Sequence, residues 1–338
     1  MKKIAILALN TGMGDVLLDT PLIEETKKKY PNSNIYFLTS NNTCASLLEN
    51  NKNIYKIVII PKKKFKLDNF FPFKGLINLL RLRKEKFDIS INTVPHAYYG
   101  SFASIILGAK KRISNYLVLT DIFQNNRIRL RKEHDVLENI HLINEKYDKK
   151  PQLKIYLTKG EKRKKIRRNI GFHPGCDESY SFKRWSLFNF IRLAKNLHEK
   201  GYKITFFIGP SEKDMIPILK KEKNIEIINK SSLRETISRI NQCEFFIGND
   251  SGVTHIAEAL NIPLLMIIGS SDYRRTGPIP RRDRIVITPE NYRPWSKTIE
   301  GMGSEINLLK RKKENLIDTI SVEKVLSEFS KLKKYSQK

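Results

Sequence analysis

Short β-rich runs dominated by apolar residues recur along this chain, each followed by a stretch whose apolar positions fall three and four apart. In the first half the runs are residues 4–9, 35–38, 57–60 and 89–92, and the stretches 16–30 and 74–86 between them carry the helical spacing. Continuous apolar runs predict strands buried on both faces, and strands alternating with helices predict a parallel sheet covered on both sides. Residues 161–168 are polar and mostly basic and read as a linker. A second series then begins, with strands at 170–173, 203–208, 225–228, 245–247 and 264–268 and helices at 186–200, 212–221, 233–241 and 252–260. Two such series predict an α/β chain of two Rossmann-like, doubly wound parallel-sheet domains, residues 1–160 and 168–312. Residues 313–338 form a C-terminal helix and tail. Leu316, Ile317, Ile320, Val322, Val325, Leu326 and Phe329 give the helix one apolar face, and packing back on the N-terminal domain is open to it.

Length and composition support that reading. With 338 residues and 40% hydrophobic positions, the chain can bury a sizeable core, and two domains are the default. Cys44, Cys176 and Cys243 are odd in number and far apart, so no disulfide framework or CxxC metal spacing is present. The apolar run at 4–9 is too short for a signal peptide, and no apolar window is long enough to span a bilayer. The expected location is the cytoplasm, with peripheral contact at the inner face of a membrane.

Charge leaves two classes open. Lys and Arg number 63 against 35 Asp and Glu, a net +28. The basic residues run through the whole chain, as at 62–64, 110–112, 127–132 and 162–168. Solvated helix faces account for much of this, and an anionic lipid surface or a nucleic acid could account for the rest. No zinc finger, aromatic RNP strand or KH loop appears, so a nucleic-acid partner is not expected.

Ligands of open α/β sheets bind beyond the carboxyl ends of the strands, which singles out four loops. The first is Thr11-Gly12-Met13-Gly14-Asp15. It is neither a dinucleotide fingerprint, since Leu17 stands where the third Gly belongs, nor a Walker A loop. Asp15 reads as a helix N-cap or as a functional carboxylate. The second is His173-Pro174-Gly175-Cys176, leading to Lys183-Arg184-Trp185, where the cations suit a diphosphate. The third is Gly248-Asn249-Asp250-Ser251-Gly252-Val253-Thr254-His255, a strand-to-helix junction suited to an anion. The fourth is Gly269-Ser270-Ser271-Asp272, a plain turn or a further wall of the same site. No G-x-S-x-G elbow and no histidine metal spacing accompany them.

These blocks resemble glycosyltransferase family 9, the ADP-heptose:lipopolysaccharide heptosyltransferases of Gram-negative bacteria. The resemblance rests on Gly14-Asp15-Val16-Leu17-Leu18 with Thr20-Pro21, on His-Pro-Gly and Lys-Arg-Trp within 171–185, on GNDSGVTHIAEAL at 248–260 and on GSSDYRRTGP at 269–278. It implies a GT-B fold with the two domains facing across a cleft. It implies an inverting, metal-independent transfer of heptose from ADP-heptose to the Kdo or heptose region of a lipopolysaccharide or lipooligosaccharide core, with no cofactor. The implied general base is Asp15. The implied donor contacts are Gly14, Lys183, Glu212, Ser231, Asp250, Ser251, Gly252 and His255. The anionic lipid A–core acceptor is expected to meet Lys62, Lys63, Lys64 and Arg112. Gly175 and Cys176, where family members often carry hydroxyl residues, leave the choice of base and sugar open, so another nucleotide sugar or another acceptor stays as an alternative.

Overall fold

The computed structural model describes residues 1–9, 11–61, 73–94, 98–116, 123–292, 294 and 316–336. It divides into two compact units, Met1–Tyr156 and Leu157–Lys338.

The first unit runs β1 (Lys2–Ala8), α1 (Met13–Leu18), α2 (Thr20–Lys29), β2 (Ser33–Thr39), α3 (Asn42–Leu47), β3 (Lys56–Ile59), α4 (Phe73–Arg83), β4 (Ile89–Asn92), α5 (Tyr98–Ile106), β5 (Lys111–Tyr116), β6 (Asn126–Arg129) and α6 (Asp135–His141). The sheet order is β3-β2-β1-β4-β5-β6, all parallel. Central β1 is apolar because both its faces are covered, and Ile4, Ala5, Ile6 and Leu7 are fully buried. On one face Ala5, Leu7, Tyr36 and Leu38 pack with Leu79, Phe87, Ala103 and Leu107. The single helix expected over 16–30 is two helices meeting at Asp19. Pro21 falls at the start of α2, where its missing N–H costs nothing. Strands β5 and β6, KRISNY and NRIR, were not expected from the sequence. They lie toward the sheet edge, where alternating exposure lets basic side chains replace the apolar run.

The second unit repeats the scheme. It runs β7 (Asn169–His173), α7 (Leu187–Glu199), β8 (Lys203–Phe207), α8 (Ile216–Leu219), β9 (Ile225–Ile228), α9 (Leu233–Ile240), β10 (Phe245–Asn249), α10 (Gly252–Ala259), β11 (Leu264–Ile267), α11 (Tyr273–Thr276), β12 (Arg284–Ile287) and α12 (Val322–Ser336). The order is β12-β11-β10-β7-β8-β9, again all parallel. The helix expected over 212–221 is a 3-10 turn, Pro210–Met215, followed by the single turn of α8, and Pro210 and Pro217 explain the interruption. Segment 161–168 is irregular but pinned to this unit. Arg234 grips Glu161 at 2.7 and 2.6 Å, Ile166 N–H donates to Gln242 O at 2.8 Å, and Lys165 Nζ donates to Cys243 O at 2.9 Å.

The C-terminal helix is part of the second unit's core. Val322, Val325, Phe329 and Leu332 are buried with Leu197, Tyr202, Phe245 and Leu265. Phe329 meets the edges of Tyr202 and Phe245, with ring centres 5.4 and 5.2 Å apart. Trp185 Nε1 donates to Ile320 O at 2.9 Å, tying the approach to α12 to the loop after β7. Among the described residues no helix is long and apolar enough to cross a membrane.

Candidate active site

Each sheet reverses its winding once, between β1 and β4 in the first unit and between β7 and β10 in the second. At such a reversal the loops diverge and leave a crevice at the carboxyl ends of the strands.

In the first unit the loop after β1 fills this position. Gly12, in extended conformation, is the N-cap of α1. Asp15 is therefore the third residue of the helix rather than its cap. Its Oδ2 accepts the Gly12 N–H at 3.0 Å, which fixes the carboxylate at the helix start, where the dipole favours negative charge. Gly14 lies in the same turn. One turn further, Asp19 is 2% exposed and accepts from Thr93 Oγ1 at 3.0 Å and Asn139 Nδ2 at 2.8 Å. Burial pushes its carboxyl well above the usual range, against the Thr93 hydrogen bond, and the negative charge of Asp15 adds to the rise. Arg112 sits at the opposite, amino end of the sheet. Its guanidinium donates to Phe123 O at 2.8 Å and Ala109 O at 3.1 Å, so it braces the turn before β5. Lys62, Lys63 and Lys64 lie outside the described residues.

In the second unit the loops after β7 and β10 are clamped together. Asn249 donates from Nδ2 to Pro174 O at 2.7 Å and accepts Trp185 N–H at 3.2 Å. Lys183 Nζ lies 2.9 Å from Asp250 Oδ2. Burial alone would raise the Asp250 pKa, but the cation of Lys183 and the neighbouring His255 outweigh it and hold the carboxyl at about 2. Ser251 caps α10, its Oγ accepting Thr254 N–H at 3.3 Å, so Gly252 and Val253 open the helix. Helix-opening amides have no partner within the helix and bind anions. The His255 ring is buried, with Nδ1 2.9 Å from Glu258 Oε2 and Nε2 4.0 Å from Asp250 Oδ1.

Glu212 is buried beside this cluster. Its Oε2 accepts Gly209 N–H at 2.8 Å, and Oε1 lies 3.4 Å from Arg184 Nη2. Burial raises its pKa, and Arg184 opposes the rise. Gly175 is what admits it, since a Cβ there would stand 2.4 Å from the Glu212 carboxyl carbon. Ser231 lies exposed in the loop after β9, its hydroxyl 2.7 Å from Thr236 Oγ1. His173, 3% exposed, donates from Nδ1 to Phe207 O at 2.8 Å, and burial draws its pKa down to about 4. Asp272 caps α11 and pairs with Arg274 at 2.8 Å, a turn held by its own side chains.

Lys183, Asp250, Ser251, Gly252 and His255 thus come together in the second unit, Glu212 adjoins them through Arg184, and Asp15 with Gly14 stands at the corresponding place of the first. Arg184, expected beside Lys183 as a second cation for a diphosphate, is turned to Cys176 O at 2.8 Å and to Glu212, and the sequence does not single out Asn249, Glu258 or Arg284. Asn249 was legible in principle, as the amide inside Gly-Asn-Asp-Ser-Gly, whereas Glu258 and Arg284 meet only through the fold. Among the described residues no group of three or more His, Cys, Asp or Glu could hold a metal ion.

Residues 79–310 match the model of glycosyltransferase family 9 (heptosyltransferase). The chain belongs to glycosyltransferase family 9. It is similar to lipooligosaccharide heptosyltransferase 2 of Haemophilus influenzae, 27% identical over 81% of this chain and 85% of that one. It is also similar to lipopolysaccharide heptosyltransferase 3 of Escherichia coli, 26% identical over 77% and 82%. A family 9 glycosyltransferase from Veillonella parvula superposes with a TM-score of 0.77 at 22% identity, covering 98% and 97% of the two chains. The ADP-heptose lipopolysaccharide heptosyltransferase II of Escherichia coli superposes with a TM-score of 0.76 at 21% identity over the full length of both. The two parallel sheets with flanking helices are those of the GT-B fold. As a family 9 member this chain is a glycosyltransferase.

Proposed function

We propose that this enzyme transfers a heptose from ADP-heptose to the inner core of a lipopolysaccharide or lipooligosaccharide, inverting the anomeric carbon and needing no metal. The observation that carries the reading is the Lys183–Asp250 pair at the start of α10. It sets a cation and helix-opening amides side by side at the switch point, the arrangement a leaving nucleoside diphosphate requires. The names of the heptosyltransferase relatives support the sugar and the acceptor class.

In this reading Asp15 takes the proton from the acceptor hydroxyl as that oxygen bonds to the anomeric carbon. The bond from that carbon to the β-phosphate oxygen breaks on the opposite face, and its electron pair leaves with ADP. Lys183 and the amides of Gly252 and Val253 stabilise the charge gathering on the phosphate. Asp250 holds Lys183 in place, and Ser251 holds the helix start. Glu212 accepts from the ribose hydroxyls, Ser231 lies on the side of the adenine, and Gly14 lets backbone approach the sugar. The enzyme works in the cytoplasm, where its excess of basic residues favours contact with the anionic inner face of the membrane that carries the acceptor.

The test is purified protein with ADP-heptose and a de-acylated Kdo-bearing acceptor, with a chelator present, followed by mass spectrometry and anomeric NMR of the product. Heptose addition with inverted configuration is expected. Turnover of UDP- or GDP-sugars with none of ADP-heptose would replace the donor, and retained configuration would remove the direct displacement.

A further inference from the structure

Glu258 is fully buried, and both its oxygens are engaged. Oε1 accepts Arg284 Nη1 at 2.9 Å and the Ile279 N–H at 2.7 Å. Oε2 lies 2.9 Å from His255 Nδ1. Arg284, at the start of β12 and 7% exposed, also donates to Ile279 O at 3.1 Å. Burying such a pair costs more than filling the same space with apolar side chains. The pair also has an end that points at the site. His255 is three residues before Glu258 on α10, and its Nε2 faces Asp250, which holds Lys183.

A carboxylate paired with a guanidinium only accepts hydrogen bonds, so His255 must carry a proton on Nδ1. That fixes the plane of the ring and directs Nε2 toward Asp250. A lone carboxylate so near would repel a diphosphate. Arg284 cancels its charge, so the ring is oriented without adding a net negative field.

We propose that Glu258, anchored by Arg284, is a positioning residue that fixes the ring plane of His255 through Nδ1–H, so that Nε2, as the second N–H of the ring protonated between Glu258 and Asp250, donates to the diphosphate of the bound nucleotide. This rests on the reading of the Lys183–Ser251 cluster as a donor site. The chain of contacts Arg284–Glu258–His255–Asp250–Lys183 links the edge strand of the sheet to the phosphate cradle.

The test combines imidazole nitrogen NMR of the wild-type protein with a mutant cycle read as ADP Kd and as separate KM and kcat values. The double variant Glu258→Met/Arg284→Met exchanges the pair for apolar groups of similar size, which buried pairs often tolerate. Expected are protons on both Nδ1 and Nε2 in the wild type, an ADP Kd about tenfold higher in the double variant, and no further loss when His255→Ala is added. A wild-type His255 protonated on only one ring nitrogen overturns the proposal without any variant. So does a double variant that binds ADP normally, or one in which His255→Ala still costs its full effect. Wild-type protein that binds no ADP would instead remove the donor-site reading, and the NMR result would stand apart from that failure.

Discussion

Lys183 and Asp250, 67 residues apart, are joined by a 2.9 Å contact that spans the switch point of the second sheet. The pair has a signature in acid. Asp250 keeps a pKa of about 2 in the folded chain against an ordinary 3.8, so its contribution to stability is complete above about pH 4 and is lost as pH falls toward 2. Lys183→Ala removes that protection and strands a buried carboxylate. The acid-unfolding midpoint followed by circular dichroism should move to higher pH, and an unmoved midpoint would show that Lys183 does not hold Asp250.

His173 gives a second pH dependence, in a different window. Its folded pKa is about 4, below the ordinary 6.5, because burial disfavours the imidazolium. Between those values the unfolded chain binds the proton and the folded chain does not, so stability falls as pH drops from about 6.5 to 4. The full effect is about 3 kcal/mol. Denaturant titrations of His173→Asn, which keeps a donor toward Phe207 O but cannot titrate, should show a flatter slope across that window. A slope equal to that of the parent would place the acid sensitivity elsewhere.

Asp19 behaves in the opposite sense. Its folded pKa is raised, so the folded state is favoured below the unfolded pKa and loses that advantage as pH rises through the folded one. Asp19→Asn, which retains an acceptor for Thr93 or Asn139, should raise the Tm at pH 8 by a few degrees. A lower Tm for the variant at pH 8 would mean that the charge is wanted there.

Gly175 makes room for Glu212, the carboxylate that the proposed reading places at the ribose. A Cβ at this position would meet the Glu212 carboxyl at 2.4 Å, so Gly175→Ala must push Glu212 aside. ADP should then bind about tenfold more weakly, and the preference for ADP over its 2′-deoxy analogue should shrink. Calorimetry showing the parent's preference intact would detach Glu212 from the ribose.

Much of this architecture can be read from the chain, and the exceptions have physical causes. The central strands β1, β7 and β10 each carry an apolar run, Ile4–Ala8, Ile170–Phe172 and Phe245–Gly248, because helices cover both faces, so they announce themselves. Strands β5, β6 and β12 lie at or beside sheet edges, and the basic residues of Lys111–Tyr116 and Asn126–Arg129 mask their alternation. The junction that opens α10 was legible because one continuous stretch, Gly248–His255, supplies the strand end, the cap and the helix start. Lys183 was legible only as a basic residue one loop away, and its pairing with Asp250 comes from the fold. The Arg284–Glu258–His255 contacts were not, because Glu258 reads as an ordinary helix residue and its partner comes from another strand. Arg112 shows the converse. Its charge invited an acceptor role, while its guanidinium is occupied by backbone carbonyls at the far end of the sheet.

The division of labour between Asp15 and Lys183 is the centre of the account, and one paired measurement tests it: ADP affinity by calorimetry with initial rates of heptose transfer, for Asp15→Asn and Lys183→Ala side by side. Asp15→Asn should bind ADP as the parent does and lose turnover by about two orders of magnitude or more, while Lys183→Ala should lose ADP affinity. Near-normal transfer by Asp15→Asn, or an unchanged ADP Kd in Lys183→Ala, would contradict it.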